Sequence, residues 1–122
     1  MQKVVVVGAT IQCSHGGKAQ LLKGDNRLQI TNKPVVTAGQ EAGISFAATQ
    51  THCPFKTSST PPVDSPCTAT IAAKADGIST LLKIAGAGVL LENASGQATN
   101  ANDPSATWKV SDPGQTLLSV DQ

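Results

Sequence analysis

The run Gly8-Ala-Thr-Ile-Gln-Cys-Ser-His-Gly-Gly17 places Cys13 and His15 two residues apart and then bends on a glycine pair. On an extended strand, residues two apart point to the same face, so both side chains can reach one metal ion. Paired glycines permit a turn through positive φ, which closes the unit. Two further cysteines, Cys53 and Cys67, lie in the next third of the chain, the first beside His52. A chain poor in aromatics and rich in glycine needs something to tie its crossing points together. A metal is the candidate.

Upstream, Val4-Val-Val-Val7 and the Gly8-Ala9 break read as a strand, a kink and a second strand ending at Cys13. Downstream, residues 18–22 suit a short strand, and Lys23-Gly-Asp-Asn26 is a turn cluster. Leu28-Gln-Ile-Thr31 then alternates apolar and polar, Asn32-Lys33 breaks it, and Pro34-Val-Val-Thr37 follows. Two short strands around a two-residue break predict a β-hairpin. Pro34 restricts its second strand to a start whose N–H no ladder needs.

The same pattern returns 54 residues later, where Leu28, Ile30, Val35 and Val36 line up without a gap on Leu82, Ile84, Val89 and Leu90, around a Gly86-Ala87 break. The N-terminal valine unit has a similar strand–break–strand rhythm. So, more loosely, do residues 107–120, with Ser111-Asp-Pro-Gly114 as the break. The reading is an all-β chain built on a degenerate repeat of hairpins. Pro54, Pro61, Pro62 and Pro66 make residues 49–70 irregular, and that segment holds two of the three cysteines. Residues 71–85 leave room for one short helix. Residues 93–106 read as a polar surface loop.

At 122 residues the chain is expected to form one domain over 1–122. Two phenylalanines, one tryptophan and no tyrosine point to thin layers of small and β-branched residues rather than an aromatic core. A net charge of +1 without any basic run argues against a nucleic-acid binder. No apolar run has the length of a membrane span, and Val4-Val-Val-Val7 is too short for a signal-peptide core. The chain is therefore expected to be made and folded in the cytoplasm. Three cysteines argue against a disulfide framework and favour a metal or free thiols.

Structural zinc takes four Cys and His ligands in a closed tetrahedron, and here five candidates compete for the four places. Cys13 and His15 enter by the strand argument. His52 and Cys53 are adjacent and would point opposite ways on an extended backbone, so one of them ligates. Cys53 is preferred as the softer donor, across the proline loop from Cys67. The expected set is Cys13, His15, Cys53 and Cys67, with His52 as alternate. The competing readings are buried, unused thiols, an exposed His52, and a disulfide between Cys53 and Cys67 in an extracellular setting. No enzyme signature stands out. A base adjacent in sequence to Ser14 rarely has attack geometry, the acidic residues are scattered singly, and Gly86-Ala-Gly88 lacks a dinucleotide loop's helix. Trp108 reads as a core plug.

Ser14-His-Gly-Gly17 after a Gly-Ala-x-x-x-Cys strand, with Cys53-Pro-Phe55 and Cys67 beyond a proline-rich loop, resembles PAAR proteins, specifically their Cys-containing PAAR-like group. The two hairpins look like that family's repeated hairpins, and the resemblance covers about residues 3–120. It implies a small conical (pyramidal) fold of short β-hairpins with pseudo-threefold symmetry. In that family the cone's base sits on a trimeric β-helical spike of a type VI secretion system or phage-tail-like contractile injection system, one tip per trimer. A structural Zn²⁺ near the apex stiffens the point, which contacts the target membrane only on puncture. The particle is assembled in the bacterial cytoplasm and then exported, with effector cargo as an option. The chain's end at Gln122 would make it a plain tip without a fused toxin. It departs from the family in lacking a Pro-Ala-Ala-Arg repeat, whose approximate place Pro34-Val-Val-Thr37 occupies, and a later Cys-x-x-His-Gly motif. The rival readings are a small metal- or thiol-dependent enzyme and a small secreted β-rich binding module.

Overall fold

The computed structural model describes residues 2–46, 55–57, 60–63, 65–100 and 102–120. Among them the regular structure is eleven short strands and one 3-10 turn at Ala75–Gly77, so the fold is all-β. The strands are β1 (Gln2–Lys3), β2 (Thr10–Cys13), β3 (Lys18–Gln20), β4 (Asp25–Ile30), β5 (Lys33–Val35), β6 (Ala69–Thr70), β7 (Ile78–Ile84), β8 (Ala87–Leu90), β9 (Ser95–Thr99), β10 (Thr107–Asp112) and β11 (Ser119–Val120). They form three two-stranded pairs, β1–β11, β4–β5 and β7–β8, and one five-stranded sheet ordered β3-β2-β10-β9-β6. Each pairing between these strands is antiparallel. No helix among the described residues is long and apolar enough to cross a membrane.

Three extended segments meet edge to edge in a triangle. The Val36 N–H donates to the Val5 carbonyl at 2.9 Å, Val5 to Leu90 at 2.9 Å, and Leu90 back to Val36 at 2.8 Å. Two residues further on, the cycle runs the other way, with Val7 donating to Pro34 at 2.8 Å, Ala38 to Gly88 at 2.8 Å and Glu92 to Lys3 at 2.9 Å. The bridges Val4↔Leu91, Val6↔Val35 and Thr37↔Val89 lie between. Residues 5, 36 and 90 are therefore related by an approximate threefold axis. All three are fully buried.

The relation extends both ways from the triangle. On one side each segment belongs to a hairpin, in matching register: Ile30↔Lys33, Ile84↔Ala87 and Val120↔Gln2. Two of these hairpins turn through Thr31-Asn32 (φ 52° and 65°) and Ala85-Gly86 (φ 52° and 84°), the left-handed pair of a type I′ turn. The third is assembled from the first and last strands. Leu28, Leu82 and Leu118 pack at equivalent places on the cluster of Val4, Val6, Ile30, Val35, Ile84, Val89 and Leu91. Even the polar details repeat. Asp25 Oδ1 accepts the Arg27 N–H at 2.9 Å, Ser79 Oγ that of Leu81 at 3.1 Å, and Gln115 Oε1 that of Leu117 at 2.6 Å.

On the other side each segment makes a tight turn, closed by Ala9 N–H to Val6, Gln40 N–H to Thr37 and Ala94 N–H to Leu91 at 3.0, 3.1 and 2.9 Å. The chain then enters an arm, namely β2, residues 41–46, or β9. Each arm is doubled by a returning strand: β3 on β2, β10 on β9, and residues 67–70 on 41–46 through Gly43 N–H to Thr70 (2.8 Å) and Phe46 N–H to Cys67 (3.0 Å). The arms enclose a second core around Phe46 and Trp108, whose indole N–H donates to the Ile71 carbonyl at 2.8 Å. The plug role of Trp108 is thus seen. Buried Glu41 pins the second arm, accepting the Gly39 and Ala73 N–H groups at 2.8 Å each.

Five local expectations are corrected. The hairpin turns fall one residue earlier than the apolar pattern places them, because the two positive-φ residues set the turn. The Gly8-Ala9 break is not a hairpin turn. With Gly8 at φ 92° it matches Gly39 at 96°, and it bends the chain from the triangle into an arm. Nor do residues 107–112 pair with 116–120, since β10 lies between β2 and β9 while β11 joins β1. The short helix shrinks to the 3-10 turn, because pairing with β8 holds Ile78, Leu81 and Leu82 in β7. The stretch 93–106 contains β9, concealed by its small residues. A Cβ on Gly96 would lie 2.7 Å from Trp108 Nε1, so the strand's core face must stay small to admit the indole.

Candidate metal centre

The far ends of the three arms converge. Cys13 ends β2, and the turn to β3 is closed by Cys13 N–H to Gly17 at 2.8 Å and Gly16 N–H to Cys13 at 3.0 Å. Gly16 takes φ 94° there, which suits a residue without Cβ. This turn carries His15. It is held against the end of β10 by Ser14 N–H donating to Thr107 at 2.8 Å. Cys67 stands just before β6, its carbonyl bonded to Phe46.

Ligand atoms of Cys13, His15 and Cys67 lie within 4.8 Å of one another, so these three residues form a group able to bind a metal ion. Both cysteines are buried. The Cys13 sulfur accepts the Gly17 N–H at 3.2 Å, and the Asn100 amide reaches the Cys67 sulfur at 3.7 Å. Such N–H contacts favour sulfur carrying negative charge.

The two nitrogens of His15 face different partners. Nδ1 is 3.5 Å from the Cys67 sulfur, whereas Nε2 is 2.6 Å from Asp103 Oδ2. A carboxylate on Nε2 holds the proton there and directs the Nδ1 lone pair toward the sulfurs, as carboxylates do behind metal-bound histidines. Asp103 is itself held below the usual carboxylate range, first by the Ser105 hydroxyl at 2.7 Å and then by His15. The Phe55 ring lies 4.4 Å from the imidazole, tilted by 33°, and covers it. These donors are two soft thiols and one imidazole, a set that suits zinc or another thiophilic metal rather than a hard cation.

Of the residues expected in the site, Cys13, His15 and Cys67 are thus brought together, while Cys53 and the alternate His52 lie outside the described residues. The alternative disulfide between Cys53 and Cys67 falls on the same undescribed position. Asp103, Asn100 and Phe55 were not legible as site residues. Asn100-Ala-Asn-Asp-Pro-Ser105 carries the signature of a polar turn, and only its spatial neighbour His15 gives Asp103 a role. No protein-family model, curated protein or solved structure matches this chain.

Proposed function

We propose that this protein is a non-enzymatic structural tip, clamped by zinc, that caps the trimeric β-helical spike of a contractile injection system. The observation that supports this reading most is the delivery of three arms, from one threefold backbone triangle, to a single Cys/His cluster. Cys13, His15 and Cys67 would hold the ion, with Cys53 as fourth ligand and His52 as its substitute. Zinc would supply a crosslink among arms with little aromatic core, and structural zinc contributes on the order of 10 kcal/mol to folding. A closed four-ligand site leaves no position for substrate, which favours stiffening over metal-dependent catalysis.

The threefold relation lets one chain present similar edges to three identical chains. The hairpin side, away from the cluster, is the face that would seat on the spike. The particle would assemble in the cytoplasm, carry effector cargo in some arrangements, and meet a membrane only on puncture. Elemental analysis of purified protein should find about one zinc per chain. A folded, metal-free protein would overturn the clamp. Co-purification with a trimeric spike protein tests the assembly separately, and failure to bind any such trimer would remove that part alone.

A further inference from the structure

The arms offer three places where neighbours can join, and two are joined. The entering strand β2 pairs with the returning strand β10, and the entering strand β9 pairs with the returning strand β6. By the threefold relation, the third seam would join the entering segment 41–46 to the returning strand β3. Instead a groove of about 660 Å³ lies between them, bordered by Lys18, Gln20, Leu22 and Lys23 on one side and Ala42 and Ile44 on the other. Among the described residues, β3 has β2 as its single neighbour in the sheet. Register fixes the direction of its free edge. Leu21 bonds Ala9 and Gly17 bonds Cys13, so Lys18 and Gln20 occupy the alternate positions, whose backbone groups face the groove.

We infer that this open seam is a β-strand docking site that takes an extended, acidic segment of a partner protein. An added strand would complete the ladder that the other two seams make within the chain, the usual mode of edge recognition. Charge selects the occupant. Lys18 and Lys23 border the groove, and among the described residues no Asp or Glu lines it. Leu22, 77% exposed, offers an apolar contact to a side chain on one face of such a strand.

The probe is a fluorescein-labelled hexapeptide, Val-Glu-Val-Glu-Val-Thr, titrated against the whole protein at low salt and followed by anisotropy. Saturable binding is expected. It should weaken at least roughly tenfold when the peptide backbone is N-methylated at alternate residues, because ladder bonds carry the affinity. Gln20→Pro removes a groove-facing N–H from an edge strand and should abolish binding. The double variant Lys18→Glu and Lys23→Glu should abolish it while leaving a Val-Lys-Val-Lys-Val-Thr peptide able to bind. Unchanged circular dichroism and metal content establish that each variant is folded. Absence of saturable binding, indifference to N-methylation, or binding that survives Gln20→Pro in folded protein would overturn the inference. So would a concentration-dependent dimer abolished by Gln20→Pro, since a second copy would then be the occupant.

Discussion

The triangle and the metal centre are built from the same three chain segments, yet they treat the threefold relation in opposite ways. Around Val5, Val36 and Leu90 the three copies do the same thing. Each donates one backbone hydrogen bond to the next and buries an aliphatic side chain. At the arm ends the copies diverge. The first brings Cys13 and His15, the second Cys67 and Phe55, and the third Asn100 and Asp103. Backbone bonding tolerates any side chain of suitable size, so a triangle of strands can be symmetric at little cost in sequence. The Cys/His cluster instead draws unlike side chains from its arms, and so breaks that symmetry.

Under the proposed zinc clamp, removing the metal should separate the two regions most sharply. Structural zinc is worth on the order of 10 kcal/mol, comparable to the whole stability of a domain this size. Chelation, or Cys67→Ser, is expected to leave the chain at the edge of unfolding. Amide exchange should then lose protection first at residues 13–17 and 65–67, with the Val5, Val36 and Leu90 amides protected longest. Simultaneous loss would show triangle and arms to be one cooperative unit.

The converse test is Leu90→Ala. Deleting a fully buried leucine side chain in a packed core costs about 2–5 kcal/mol. Urea denaturation should show that loss while the metal content of the folded fraction is unchanged. Val5→Ala and Val36→Ala should be milder and similar to each other. Unequal effects from these two would mean that the bonding pattern is threefold but the packing is not.

Asp103→Asn addresses the metal centre alone. Loss of a carboxylate behind a ligating histidine typically lowers metal affinity by about 10–100-fold. Competition with a chromophoric chelator should read that drop. Circular dichroism of the metal-saturated protein should be unchanged, because Asp103 is partly exposed and its partners are His15 and neighbouring Ser105. An unchanged affinity would detach Asp103 from the site.

The hairpin echo between residues 28–37 and 82–91 was legible because aliphatic residues recur at one spacing, and that echo is the threefold relation itself. Its third copy was obscure for two reasons. It joins the first and last strands, so no contiguous run contains it. Its polar capping residue is Asp25 in one copy, Ser79 in another and Gln115 in the third, one role filled by three residue types. Cys13 and His15 were legible because period-two spacing on a strand is a local property. Cys67 followed from ligand chemistry. Asp103 and Phe55 were not, since their part in the site depends on contacts with a residue far away in the chain. The arm β9 was concealed for a packing reason, its core face reduced to Gly96 and Ala98 under Trp108.

The smallest effect concerns the turns, where the two closed hairpins can be compared with each other. Ala85 and Thr31 both take φ 52°, a conformation that strains residues with a Cβ and most of all a β-branched one. Ala85→Asn writes the Asn-Gly pair that type I′ turns favour, and should stabilise by up to about 1 kcal/mol. Thr31→Asn relieves a β-branched residue but forfeits the bond of its hydroxyl to the Ile30 carbonyl at 2.6 Å, so its gain should be smaller. The two turns close different hairpins and share no partner, so the double variant should gain the sum of the single ones, measured by urea midpoints at constant slope. A gain well short of additive would mean that strain in one turn is transmitted through the triangle to the other. The threefold relation would then be an energetic property of the hairpin side as well as a geometric one.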